Sequence, residues 1–292
     1  MSKKIRVAVI FGGRSSEHSI SCISAGSVLR ALDRTRYEVV PIGITKSGKW
    51  VLEADNADRL AIQNGVFPEV DSTNPAVLFT ADPSAKDLVV QSTVPEVLQQ
   101  VDVAFPVLHG PWGEDGTIQG LLEMFDIPYV GAGVLASAIG MDKATCKRLF
   151  MEAGIPTVDF NVFFWKEWQS YKNEITARLQ DEFTLPVFVK PSRAGSSNGI
   201  SKVKSWSDLE AAVTLAKDFD EKIVIEAFAP GREVECGILG ESASRVGEVR
   251  ILGNHEFYDF EAKYLDGATT VKIPADIPAD AAEEIREKAV QA

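Results

Sequence analysis

The sequence predicts an α/β chain in two parts: an open, mostly parallel sheet with helices over residues 1–140, then an α+β part of antiparallel character over residues 141–292. Three observations predict it. Up to about residue 140, compact apolar runs of strand length alternate with segments whose apolar residues recur at helical spacing, as in a parallel sheet with crossover helices. Beyond residue 140, strand-like runs follow one another with little helix between them. The composition, 45% apolar and 25% charged over 292 residues, supports a sizeable core and excludes a disordered chain.

Ile5 to Phe11 is an apolar run that stops at Gly12-Gly13 and reads as the first strand. Ile20, Ile23, Val28, Ala31 and Leu32 fit one face of a following helix. Tyr37 to Thr45 and Val101 to Leu108 read as further strands, Ile118 to Phe125 as a helix and Ile127 to Val130 as a short strand. Residues 53–100 show no strong period. In the second part Lys143 to Ala153 reads as a helix ending at Gly154-Ile155-Pro156. Strand-like runs follow at Val158 to Phe164, Leu185 to Val189, Ile223 to Glu226, Val234 to Leu239 and Val246 to Leu252. One helix, Trp206 to Ala216, stands between the second and third of these, and Ala281 to Ala292 reads as an amphipathic helix at the end.

Lys plus Arg is 30 and Asp plus Glu is 42, a net charge of −12. A nucleic-acid partner would need a basic footprint, and an anionic membrane would repel this chain, so neither is expected. No apolar run approaches the roughly 20 residues of a spanning helix. The first apolar run is too short for a secretory leader, and Cys22, Cys146 and Cys236 stand far apart, so a cytoplasmic chain with reduced thiols is expected.

Four segments could carry chemistry. Val9 to His18 runs from a strand through Gly12-Gly13 towards a helix, a turn that lets backbone approach an anion. The dinucleotide fingerprint is missing, and a plain strand–helix turn with Glu17 complementing the helix dipole is the simpler alternative. Leu108 to Gly116 places three glycines around His109, Glu114 and Asp115 after the third strand. Both loops fall at the carboxyl ends of strands, where open α/β sheets hold ligands. The alternative for the second is a tight loop whose carboxylates cap the helix near Thr117. Lys190 ends an apolar strand, where its ammonium needs an anionic partner, and a Gly195-Ser196-Ser197 loop suited to phosphate oxygens follows. Glu226 closes a strand and Glu233 opens the next, offering acceptors for ribose hydroxyls and an adenine amino group.

In order and spacing, FGGRSSEHSIS, LHGPWGEDGTIQG, YVGAG, MDK, PVFVKPSRAGSSNGISKV and FYDFEAKY resemble the D-alanine–D-alanine ligase family of ATP-grasp enzymes, from residue 5 to the last residue. The resemblance implies a Rossmann-like N-terminal domain over 1–140, an ATP-grasp domain over 141–292, and ATP-driven ligation of two D-alanines through an acyl phosphate for peptidoglycan synthesis. It implies ATP with Mg2+ or Mn2+, a homodimer and a cytoplasmic location. By motif, Glu17 holds the first D-alanine's ammonium with His109 nearby. Ser196 and Tyr264 link to Glu17. Lys143 and Lys190 bind ATP phosphates, Lys263 reaches the γ-phosphate, and Ser196 and Ser197 belong to a phosphate-covering loop. Glu226, with the backbone through Ala227, Phe228 and Ala229, takes adenine, and Glu233 takes ribose. The Gly-Ser-Ser loop and the Tyr258 to Ile277 loop resemble two lids that exclude water. Tyr264, where the depsipeptide-forming members carry Phe, implies a dipeptide product. The family's metal-binding block, an Arg-x-Asp strand and a Glu-x-Asn strand, is not found before Ala292, so no metal ligand is named and the 292 residues alone are expected not to turn over. Another carboxylate–amine ligase and a non-catalytic nucleotide-binding protein are the competing readings.

Overall fold

The computed structural model describes residues 3–79, 88–91, 96–98, 101–252 and 269–292. They form two compact units, Met1–Met141 and Asp142–Ala292.

The first unit is built on β1 (Ile5–Gly12), whose residues are apolar at every position from Val7 to Phe11. A strand with no polar alternation must be covered on both faces. Val7, Val9 and Phe11 pack on one face with Cys22, Ala25 and Leu29 of α1 (His18–Ala31). Ala8 and Ile10 pack on the other with Ile118 and Leu122 of α2 (Thr117–Met124). β1 pairs in parallel with β2 (Tyr37–Ile44), and the chain then turns back through β3 (Trp50–Leu52), β4 (Ala76–Phe79), β5 (Leu88–Gln91) and β6 (Glu96–Leu98). On its other edge β1 pairs in parallel with β7 (Val103–Pro106), which gives the order β6-β5-β4-β3-β2-β1-β7. A helix α3 (Val134–Met141) closes the unit.

Three expectations change here. The sheet is parallel only across β2, β1 and β7; from β2 outward every pairing is antiparallel, in the stretch whose period was unreadable. The buried stripe of α1 runs through Cys22, Ala25, Gly26 and Leu29, while Ile23 and Val28 are only half-buried and Ala31 is exposed. Small residues win the core face because the helix lies close: a Cβ on Gly26 would sit 3.2 Å from Leu60 Cβ. Ile127 to Val130 makes an isolated parallel bridge, Ala104 to Tyr129, rather than a strand.

The second unit opens with α4 (Lys143–Glu152), capped by Asp142, whose carboxylate accepts from Thr145 N at 2.9 Å. Four strands follow, β8 (Phe160–Phe164), β9 (Val187–Pro191), β10 (Ser201–Val203) and β11 (Lys222–Ala227), in an antiparallel sheet of order β10-β9-β11-β8. Between β8 and β9 lies α5 (Trp165–Glu182), the longest helix described, where none was expected. Only Trp168, Ile175 and Leu179 of its 18 residues are buried, so its sequence carries a thin apolar stripe. Its first turn is held by Glu167, which accepts from Phe164 N. The Trp206 to Ala216 helix is present as a 3-10 turn, Trp206–Asp208, running into α6 (Leu209–Lys217). Leu209, Val213 and Ala216 of α6 share one core with Val187 and Val189 of β9.

β12 (Glu233–Glu235), β13 (Ile238–Leu239), β14 (Ser242–Ala243), β15 (Gly247–Ile251) and β16 (Thr269–Lys272) complete the strands, with α7 (Ala279–Gln291) after them. The Val234 to Leu239 run is broken in two: β12 pairs with β15, and β13 with β14. Part of the expected Tyr258 to Ile277 loop is also strand, since β16 pairs with β15 from Glu248↔Lys272 to Ile251↔Thr269.

Candidate active site

In the first unit the parallel pairing of β1 and β7 brings their two glycine-rich loops together. Ser15 Oγ donates to His109 O at 2.7 Å, and Ser21 Oγ donates to Val107 O at 2.7 Å while accepting from Gly12 N at 2.8 Å. Glu17 is the residue before α1 but does not cap it; its side chain is turned inward and is 3% exposed. It faces Gly110, where φ is +73° and any Cβ would collide with Glu17 Oε2. A carboxylate buried against a bare backbone suits a small ammonium ligand. His109 stands in the same loop, with Nε2 3.0 Å from Ser24 Oγ. Glu114 and Asp115 build the loop itself: Glu114 accepts from Gly110 N at 2.7 Å, and Asp115 accepts from Trp112 N and Thr117 N.

His18, which no sequence signal singled out, tethers this loop from behind. Its Nδ1 lies 2.7 Å from Gly13 O and its Nε2 accepts from Val70 N at 3.1 Å, so the ring is the neutral Nδ1–H tautomer. Burial pushes its pKa down, against the Gly13 hydrogen bond.

The second unit holds a cleft of about 630 Å³ between β9, β11 and the β12–β15 pair. Lys190, Glu226, Ala227, Phe228, Ala229 and Glu233 all line it. The anionic partner that Lys190 requires is Glu226, at 2.6 Å. Glu226 also takes Lys147 at 3.3 Å. Burial raises its pKa, but the two ammonium groups outweigh that and hold it below the usual carboxylate range. On the facing wall Glu248 accepts from Arg232 Nε at 2.7 Å and from Arg250 at 2.8 and 3.0 Å, which holds its pKa at about 2. Lys147, Arg232 and Glu248 were not among the expected site residues: Lys147 reaches Glu226 from α4, and the β12–β15 pairing sets Glu248 beside Arg232.

Lys143 donates from Nζ to Ala194 O at 2.5 Å, at the start of the Gly-Ser-Ser loop. In that loop Ser196 and Ser197 both have positive φ, +47° and +58°. Behind Lys143, Asp142 accepts from Lys222 Nζ at 2.8 Å and from Ser192 Oγ at 2.9 Å, so the loop and α4 share one anchor. Lys263 and Tyr264 lie outside the described residues. Among the described residues no group of three or more His, Cys, Asp or Glu could hold a metal ion.

Two descriptions match: "D-ala D-ala ligase N-terminus" over residues 6–132 and "D-ala D-ala ligase C-terminus" over residues 149–292. The chain belongs to the D-alanine–D-alanine ligase family. A D-alanine–D-alanine ligase of Mycolicibacterium gilvum is 49% identical over 304 residues, spanning 100% of this chain and 82% of the relative. One of Streptomyces griseus is 47% identical, spanning 99% and 77%. Among solved structures, the VanG D-Ala:D-Ser ligase of Enterococcus faecalis aligns with a TM-score of 0.83 at 35% identity, over 99% of this chain and 82% of that one. The D-alanine-D-alanine ligase of Coxiella burnetii aligns at 0.79 and 29%, over 99% and 76%. The matched spans include the two glycine-rich loops of the first unit and Lys190, Glu226 and Glu233 of the second.

Proposed function

We propose that the protein joins two D-alanines into D-alanyl-D-alanine at the expense of ATP, for peptidoglycan synthesis. The first unit holds the D-alanine site and the second the nucleotide site. The observation that carries the reading is Glu17, a carboxylate buried between two backbone-lined loops that are pinned by Ser15 and His109. Glu17 receives the ammonium of the first D-alanine, with His109 beside it. That D-alanine's carboxylate attacks the γ-phosphate of ATP, giving an acyl phosphate and ADP. The amine of the second D-alanine attacks the acyl carbon, and phosphate leaves.

In the second unit Glu226 and the Ala227–Ala229 edge take the adenine, and Glu233 takes the ribose. Lys190 and Lys143 serve the phosphates, with Ser196 and Ser197 folding over them; Lys263 reaches the γ-phosphate. Ser196 and Tyr264 act with Glu17 as the family resemblance implies, and Tyr264 favours an amine as second substrate. Lys190's contact with Glu226 supports a lysine held in place before nucleotide arrives, at little reorganisation cost. Magnesium or manganese belongs to this reading, but the described residues offer it no ligand set, so no step is routed through it. A homodimer in the cytoplasm belongs to it as well; among the described residues no helix is long and apolar enough to cross a membrane.

Two measurements test it. ATP should bind the 292-residue chain, and binding should weaken at least tenfold in Lys190→Ala. The gene product carrying these residues should form D-alanyl-D-alanine, with ADP and phosphate, from D-alanine and ATP. Incorporation of D-serine or D-lactate in preference to D-alanine would refute the choice of second substrate.

A further inference from the structure

Beside the Glu17 loops, the first unit carries a second cleft, of about 710 Å³. Its walls are apolar: Trp50, Leu108, Ile118 and Leu121 line it. Met124 at its edge is 75% exposed, a large apolar side chain left in water at the end of α2. It shares Gly12, Gly13 and His109 with the loops described above, but Glu17 does not line it.

One charge stands on this wall. Arg14 lays its methylenes against Gly48 and its guanidinium over the Trp112 ring, 4.8 Å from the centroid. Among the described residues no carboxylate lies within ion-pair distance of it, although the chain carries twelve more acids than bases. Trp112 is itself held at φ +66°, a conformation costly for a bulky residue, and the residue is 43% exposed. An oriented guanidinium with open donors, at the mouth of an apolar cleft, matches a ligand with an apolar body and one anionic head.

We propose that this cleft is a ligand site for small amphipathic anions: an aromatic or branched aliphatic body seated against Leu108, Ile118 and Leu121, with a carboxylate, sulfonate or phosphate on Arg14. The cleft lies in the first unit, against the loops that carry Glu17 and His109.

Two dyes of nearly one shape test it. 8-Anilino-1-naphthalenesulfonate carries an anion, and N-phenyl-1-naphthylamine does not. Fluorescence titration of the 292-residue chain should show saturable binding of both, with the sulfonate tighter by about tenfold. Arg14→Gln should abolish that difference and leave the neutral dye's affinity unchanged. Gly120 lines the cleft, and a Cβ there has only Val134 Cγ2 nearby, at 3.9 Å. Gly120→Leu should therefore weaken both dyes, with far-UV circular dichroism unchanged. Met124→Glu, at an exposed position that cannot upset folding, should weaken only the sulfonate. An Arg14→Gln chain that keeps the preference for the sulfonate would overturn the proposal. So would displacement of both dyes by ATP, which would place them in the other unit.

Discussion

Asp142→Asn removes one negative charge from the anchor that α4 shares with the Gly-Ser-Ser loop. The carboxylate accepts from Thr145 N, Ser192 Oγ and Lys222 Nζ, and its side chain is 15% exposed. Burial raises its pKa, but the Lys222 contact and the other donors outweigh this and bring it from 3.8 to about 2. A shift of that size corresponds to about 2 kcal/mol of stability at pH 7. The folded pKa is the lower one, so the stabilisation is present above about 3.8 and drains away as the pH falls through about 2. At pH 3 roughly half of it remains. Asparagine keeps an oxygen for the Thr145 cap but not the charge for Lys222. Urea denaturation of the 292-residue chain and of Asp142→Asn should therefore differ by about 2 kcal/mol at pH 7 and by about 1 at pH 3. In a thermal scan the second unit should melt some 4–8 °C earlier at neutral pH. A loss that is equal at both pH values, or below about 0.5 kcal/mol at pH 7, would show that Lys222 and Asp142 are not coupled as described.

Gly110→Ala adds a methyl group against Glu17 at positive φ; the backbone strain alone costs about 1–2 kcal/mol. In the gene product this substitution should raise the KM for D-alanine at least tenfold and leave that for ATP unchanged, as steady-state kinetics would read. Glu226→Leu strips the carboxylate from Lys147 and Lys190, and should cost about 3 kcal/mol in chemical denaturation. Lys147→Met with Glu226 intact should cost less, because Lys190 still pairs the acid. The lowered pKa of His18 means that protonation favours the unfolded chain. The stability it contributes above pH 6.5 is lost as the pH falls below that value, and His18→Gln should flatten the stability profile between pH 7 and 5.

What was legible in the sequence was chemistry that sits at element ends. Gly12-Gly13, Gly110 and the serine loop announce themselves because a turn needs those residues and little else tolerates them. Glu17 was readable as a site residue only beside the second loop, since a lone acid before a helix has a simpler explanation. The antiparallel arm β3–β6 and the helix α5 were illegible for a different reason. Their stability comes from neighbours: α5 buries three side chains out of eighteen, too few to leave a period. Lys147 and Glu248 were invisible for the same reason. Each is an ordinary surface-type residue until the fold sets it in place, Lys147 reaching Glu226 from α4 and Glu248 meeting Arg232 where β12 and β15 pair.

The central claim is that Glu17 receives the ammonium of a D-alanine whose carboxylate is activated by ATP held in the second unit. Product analysis by mass spectrometry, with D-alanine and ATP, on the gene product and its Glu17→Gln variant tests this most directly. The gene product should give one D-alanyl-D-alanine per ADP and phosphate released and none from L-alanine, and the variant should lose two or more orders of magnitude in rate. ATP cleavage without dipeptide, or a Glu17→Gln variant as active as its parent, would contradict it.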